Sequence, residues 1–186
     1  SQGQLHVGHG ALYNASLVFN ADGVPLGQPQ RQLYPIYDER GFITPGDENV
    51  VSVVDTPAGR LGVLVGSDSW YPDNYRKLNE HGAQLIAVPA FVLGRDTWDR
   101  PWRGFKSVST PPEISLKPEE LSEGEAWRRL TLISQQPISQ ATAGMSVFLR
   151  GQFWDLGSAG QSFLSNNGHI SADGEARGAR LLNIWL

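Results

Sequence analysis

Residues 50–91, VVSVVDTPAGRLGVLVGSDSWYPDNYRKLNEHGAQLIAVPAF, constrain the fold of this chain more than any other stretch. Val50–Val54 and Arg60–Val65 are short runs rich in β-branched residues. Thr56-Pro57-Ala58-Gly59 between them places Pro and Gly where turns use them. The second run breaks at Gly66-Ser67-Asp68-Ser69, a helix is predicted over Asn74–His81, and a third apolar run covers Gln84–Pro89. Strand, sharp bend, helix, strand is a unit with which several enzyme folds hold a catalytic group at the bend. The bend at Gly66 is therefore the first place to look for chemistry.

The flanks read as an α/β protein. Ser1–Gly10 is polar and glycine-rich and is expected to be a flexible start; His6 and His9 lack the acidic partner that a metal pair would want. Leu12–Asn20 reads as a strand, Asn20-Ala21-Asp22-Gly23 as a tight turn, and Val24–Leu33 as a return strand held to an edge by Pro25 and Pro29. Leu33–Asp47 has no helical period and should be an ordered loop. Its Asp38, Glu39 and Arg40 beside Tyr34 and Tyr37 read as a solvated ion pair or as one wall of a site. Val92–Glu123 is a long proline-containing connection whose Trp98, Trp102, Arg103 and Phe105 form a binding platform or, as we favour, an aromatic plug or subunit contact.

Gly124–Gln136 is predicted to be the second helix, with Ala126, Trp127, Leu130 and Ile133 on one side. Ser122 and Glu125 form a capping box and Pro137 is the stop. Ile138–Thr142, Ser146–Leu149, Gln161–Leu164 and Arg180–Leu186 are strand candidates, with Gly151–Gly160 as a loop carrying Phe153 and Trp154. Two helices cannot cover both faces of a sheet that size, so one face should pack on a second sheet or subunit.

Composition matters here for what it removes. The 186 residues contain no cysteine, which excludes disulfides, thiolate metal sites and cysteine nucleophiles together. A net charge of -4 gives no electrostatic footprint for nucleic acid or an anionic membrane, and no apolar run is long enough to span a bilayer. A cytoplasmic protein without metal or cofactor is the expectation.

Taken together, certain motifs resemble the carbon–nitrogen hydrolase (nitrilase and amidase) superfamily. They are Thr44-Pro45-Gly46-Asp47-Glu48, Val53–Gly62, Asp68-Ser69-Trp70-Tyr71-Pro72-Asp73 and Gly82–Ala90, supported by Tyr13-Asn14, Asn20–Gly23, Gly160–Leu164 and Ala179–Leu186. The resemblance implies the C-terminal two-thirds of a four-layer α-β-β-α sandwich, forming one partial domain over residues 1–186. Such domains commonly pair through a helix face, so a homo-oligomer, or a missing N-terminal segment, is expected.

The family uses a Glu–Lys–Cys triad, in which a thiolate attacks the amide or nitrile carbon, glutamate moves protons and lysine stabilises the developing charge. In this resemblance Gly66 occupies the cysteine position and Gln32 the lysine position. The general-base glutamate would precede Leu12–Asn20, and Glu39 resembles the site's supporting acid. Ser67 is the neighbouring hydroxyl, but no histidine stands in triad order and Val65 and Ser69 break the G-x-S-x-G pattern. Asp68 and Asp73 read as helix-start acids. Tyr34, Ser67, Trp70 and Tyr71 are the expected pocket lining.

The implied function is a homologue that has lost the catalytic Cys and Lys and binds a small amide, amine or carboxylate as a non-catalytic module. The alternatives are an active hydrolase of non-peptide carbon–nitrogen bonds and a structural fragment of a longer chain.

Overall fold

Hairpin chemistry sets the first elements. The computed structural model describes residues 10–105, 109–132, 138–153, 155–172, 181–183 and 185. His6, His9, Ile133, Pro137, Trp154 and Arg180 lie outside them, as do most of the expected flexible start and the ends of Ala179–Leu186. β1 (Ala15–Phe19) and β2 (Pro25–Arg31) form an antiparallel pair of their own. Their turn is built by Asn20, whose Oδ1 accepts from the Asp22 and Val24 N–H groups.

β3 (Val53–Thr56) and β4 (Gly59–Val63) are the next hairpin, closed by Pro57-Ala58. β3 starts three residues later than predicted. The Ser52 N–H donates to Gln30 Oε1 and its hydroxyl to the Gln28 carbonyl, so this segment serves β2 rather than the ladder. After β4 come a single-turn 3-10 helix, Gly66–Trp70, then α1 (Pro72–Glu80) and β5 (Leu85–Ala90). Pro72 starts α1 where a missing N–H costs nothing, two residues ahead of the predicted start. β4 and β5 are parallel, as a crossover through α1 requires.

Val92–Glu123 is not structureless. It holds β6 (Val92–Leu93) and a short 3-10 turn at Thr97–Asp99, and Trp98, Trp102 and Phe105 are all buried, as an aromatic plug should be. α2 (Glu123–Leu130) is capped by Ser122 Oγ, which accepts from the Glu125 N–H. It ends at Leu130, ahead of the predicted Gln136, and residues 133–136 of the predicted span lie outside the described residues. Thr131 turns extended, its hydroxyl bonds Ser69 Oγ at 3.0 Å, and the Leu132 N–H donates to the Tyr75 hydroxyl. These partners on the elbow and α1 outcompete continuation of the helix.

β7 (Ala143–Phe148) begins earlier than the predicted Ser146. Ile138–Thr142 is not a strand, because Asn79 of α1 claims its backbone, accepting from the Gln140 N–H and donating to the Ile138 carbonyl. Gly151–Gly160, predicted as a loop, contains the hairpin of β8 (Gln152–Phe153) and β9 (Leu156–Ala159). β10 (Phe163–Asn166) turns into β11 (His169–Ala172), a strand the sequence reading missed. The described residues of Arg180–Leu186 form no strand.

The main sheet runs β11-β10-β7-β5-β4-β3, parallel across β4-β5-β7 and antiparallel outside. Ile86 and Val88 of β5 point to one face, where they meet Tyr75 and Leu78 of α1 and Trp127 and Leu130 of α2 in one core cluster. Both helices therefore lie on that face. On the other, Val147 is 49% exposed. The result is a mixed α/β sheet with both helices packed on one face. Among the described residues no helix is long and apolar enough to cross a membrane.

Candidate functional site

The elbow is where the chain's backbone polarity is most fully accounted for. Gly66 has φ +54°, a left-handed conformation that a residue with a Cβ adopts only at a cost. Three of the elbow's carbonyls are claimed by side chains. Ser69 Oγ donates to the Gly66 carbonyl at 2.8 Å, Asn74 Nδ2 to that of Asp68 at 2.8 Å, and the Tyr75 hydroxyl to that of Ser69 at 2.9 Å. Ser67, Asp68, Ser69 and Trp70 are all buried.

Asp68 does not act as a helix-start acid. Its carboxyl accepts from the Leu33 and Tyr34 N–H groups, both at 2.9 Å, and so ties the chain after β2 to the elbow. Burial raises its carboxyl to about 7, against the pull of those backbone donors and with a push from the Glu39 charge. Asp73 is the surface acid, paired with Arg76.

That tie places Gln32 over the bend. Gln32 is 2% exposed and its amide is saturated. Nε2 donates to Glu39 Oε2 at 3.0 Å and to Ser67 Oγ at 3.1 Å, and Oε1 accepts from Asn14 Nδ2 at 3.1 Å. Glu39 sits on a single-turn 3-10 helix, Tyr37–Gly41, too short for periodicity to reveal, and also accepts from the Ile36 N–H at 3.1 Å. The loop of Asp38 and Glu39 is thus one wall of a cavity. The Ser67 hydroxyl gives its proton to the Tyr34 carbonyl at 2.6 Å, and among the described residues no histidine is its partner. A hydroxyl whose proton is held by a carbonyl is not activated as a nucleophile.

Gln32, Glu39, Gly66 and Ser67 share a cavity of about 240 Å³ with Asn14 and Trp127. A Cβ built on Gly66 would meet only Gln32 Nε2, at 3.7 Å. Three expected lining residues are elsewhere. Trp70 is fully buried between Trp102, Phe105 and Trp127, and Tyr34 stacks on Tyr71 with centroids 3.9 Å apart, a pairing that turns both rings against each other instead of into the cavity.

A larger space of about 710 Å³ adjoins the first and shares Asn14, Ile36, Glu39, Phe91 and Trp127 with it. Its notable group is Glu123, 2% exposed, whose carboxyl burial raises and which accepts from the Tyr37 hydroxyl at 3.2 Å. Arg103 lies 3.7 Å over the Tyr37 ring. In the sequence Glu123 is an ordinary acid ahead of a helix, and nothing marks it for burial. Among the described residues no group of three His, Asp or Glu could hold a metal.

Known proteins share this fold. An amidase of the nitrilase superfamily from Nesterenkonia AN1 superposes with a TM-score of 0.61 at 17% identity, over 88% of this chain and 52% of its own. A carbon–nitrogen hydrolase from Helicobacter pylori G27 does so with a TM-score of 0.62 at 21% identity, over 89% of this chain and 54% of its own. In sequence, the N-carbamoylputrescine amidase of Solanum tuberosum is 26% identical over 117 residues, which are 56% of this chain and 39% of that protein. The deaminated glutathione amidase of Yersinia enterocolitica is 32% identical over 102 residues, 53% of this chain and 31% of that protein. The chain thus spans about two-fifths of the length of the first of these relatives and about half of the solved structures. The Carbon-nitrogen hydrolase family profile matches residues 3–107, a stretch that holds the elbow, Gln32, Glu39 and the strands that carry them, and by that match the chain belongs to the carbon–nitrogen hydrolase family.

Proposed function

We propose that this chain is a carbon–nitrogen hydrolase homologue that holds a small ligand bearing an amide, amine or carboxylate and does not turn it over by the family's covalent route. The observation that carries this reading is Gly66. At the bend where the family resemblance puts the nucleophile there is no side chain, yet the cavity in front of it stays open and polar. A glycine cannot attack a carbonyl, and none of the 186 residues is a cysteine that could replace it. In one solved structure of the Nesterenkonia amidase the acetamide moiety of fluoroacetamide is added covalently at the active site cysteine. At the position of the expected lysine stands Gln32, a neutral amide already bonded to Glu39 and Ser67, where a cation would stabilise developing negative charge.

Restoring the lost groups tests this. Gly66→Cys combined with Gln32→Lys is expected to fold, since the new Cβ meets only the side chain at position 32 and the left-handed backbone costs about 1–2 kcal/mol. The parent protein is expected to release no ammonia from simple amides or nitriles while still binding them, as read by calorimetry. Turnover by the parent would overturn the reading, as would a failure of carboxamides, amines and carboxylates alike to bind.

The sheet face opposite the helices supports a second part of the reading, a homo-oligomeric contact. Val147 and Pro89 are exposed there, side by side in the register of β7 and β5. Val147→Lys is expected to lower the sedimentation coefficient to that of a single copy. An unchanged coefficient for the variant would remove the contact from this face.

A further inference from the structure

On the far side of Trp98 from the Glu39 cavity, three arginines from three separate elements converge on one groove of about 400 Å³. Arg95 follows β6, Arg128 is on the outer side of α2, and Arg150 follows β7. The chain as a whole carries a net charge of -4, so this concentration of guanidinium groups runs against its average.

Two of these side chains are held by neutral acceptors. Arg95 Nη2 donates to Gln152 Oε1 at 2.7 Å, and Arg128 donates to Gln161 Oε1. Among the described residues neither makes an ion pair, whereas Arg60, Arg76, Arg100 and Arg129 each pair with a carboxylate. Glutamine fixes the direction of a guanidinium without cancelling its charge. A carboxylate would do both.

The positions are also built. A Cβ at Gly157 would stand 2.5 Å from Arg95 Cγ, so that glycine leaves the room in which the arginine stem lies across β9. The Arg128 guanidinium sits 5.9 Å over the Trp98 ring. Two acids stand on the rim, Asp99 and Glu125, and Glu125 is paired with Arg129. With Glu125 so engaged, Arg95 and Arg128 set two positive charges against the single carboxylate of Asp99. Its size is within the range of about 300–1,000 Å³ typical of small-molecule sites.

We infer that this groove binds a small molecule through a phosphate or diphosphate group, at a site separate from the cavity beside Gly66. A single carboxylate would engage one guanidinium fork. A diphosphate presents enough charge and enough oxygens for several, which is the arrangement arginine is suited to.

Titration of the intact protein with inorganic pyrophosphate, at fixed ionic strength, tests the assignment by calorimetry. Saturable binding of one pyrophosphate per chain is expected, and Arg95→Gln and Arg128→Gln should each weaken it about tenfold or more. Arg76→Gln, on α1, should leave it unchanged. Arg128→Lys keeps the charge but loses the fork, so it should fall between the parent and Arg128→Gln, and it serves if the glutamine variant fails to fold. Three outcomes overturn the site. They are sulfate titrating as tightly as pyrophosphate, Arg76→Gln weakening binding as much as Arg128→Gln, and no saturable heat with pyrophosphate.

Discussion

Replacing Asp68 with alanine is expected to destabilise the protein by about 2–6 kcal/mol, because the buried N–H of Leu33 and the partly buried N–H of Tyr34 lose their acceptor at about 1–3 kcal/mol each. Urea denaturation followed by circular dichroism reads the loss directly. A cost under about 1 kcal/mol would show that these donors find water or another partner, and the tie between the β2 end and the elbow would lose its importance.

The same carboxyl makes stability depend on pH in a direction opposite to most carboxylates. Its folded value is raised to about 7, so the folded state holds the proton more tightly than the unfolded chain. Its contribution is complete at low pH and is lost as pH climbs from about 4 to about 7, at up to about 1.4 kcal/mol per unit. Asp68→Asn keeps the side chain's shape and should remove this slope. The difference in unfolding free energy between parent and Asn variant should therefore grow in the variant's favour on going from pH 5 to pH 8. A constant difference across that range would mean the carboxyl titrates where ordinary ones do.

Removing the Trp70 ring is expected to cost about 3–5 kcal/mol, the usual range for deleting a fully buried aromatic side chain. Trp70 closes the elbow turn and meets Trp127 at 4.9 Å, Phe105 at 5.8 Å and Trp102 at 5.9 Å, edge to face in each case. Trp70→Ala leaves a void that three rigid rings cannot fill, and it unfastens the 92–123 connection from the elbow and α2 at once. Trp70→Phe should recover a large part of the loss. The check is the denaturation midpoint of the two variants. Equal midpoints for Ala and parent would place the ring outside the stabilising core.

What the sequence discloses here follows from which forces are local. The bend at Gly66, the turns at Asn20–Gly23 and Thr56–Gly59 and the start of α2 at Ser122 are set by residues within a few positions of one another, and they are legible. The early end of α2 depends on Tyr75 and Ser69, more than fifty positions away, and periodicity cannot report that. The strand missed at His169–Ala172 is a fully exposed edge of four residues, too short for its alternation to stand out. In the site, Gln32, Glu39, Gly66 and Ser67 do come together, because motif spacing placed them on two segments that the Asp68 carboxyl joins. In the sequence Trp70 and Tyr71 read as lining, because aromatic rings beside a bend suit either role. Only packing against Trp102, Phe105 and Tyr34 separates the two.

The side chains that hold the elbow's carbonyls have a consequence for how such a chain changes over generations. Ser69, Asn74 and Tyr75 fix the shape of the bend from behind, and none of their bonds involves a side chain at position 66. Form and reactivity are thus inherited separately. An exchange at position 66 therefore costs no more than its own backbone strain, and the cradle behind it would persist for selection to put to use.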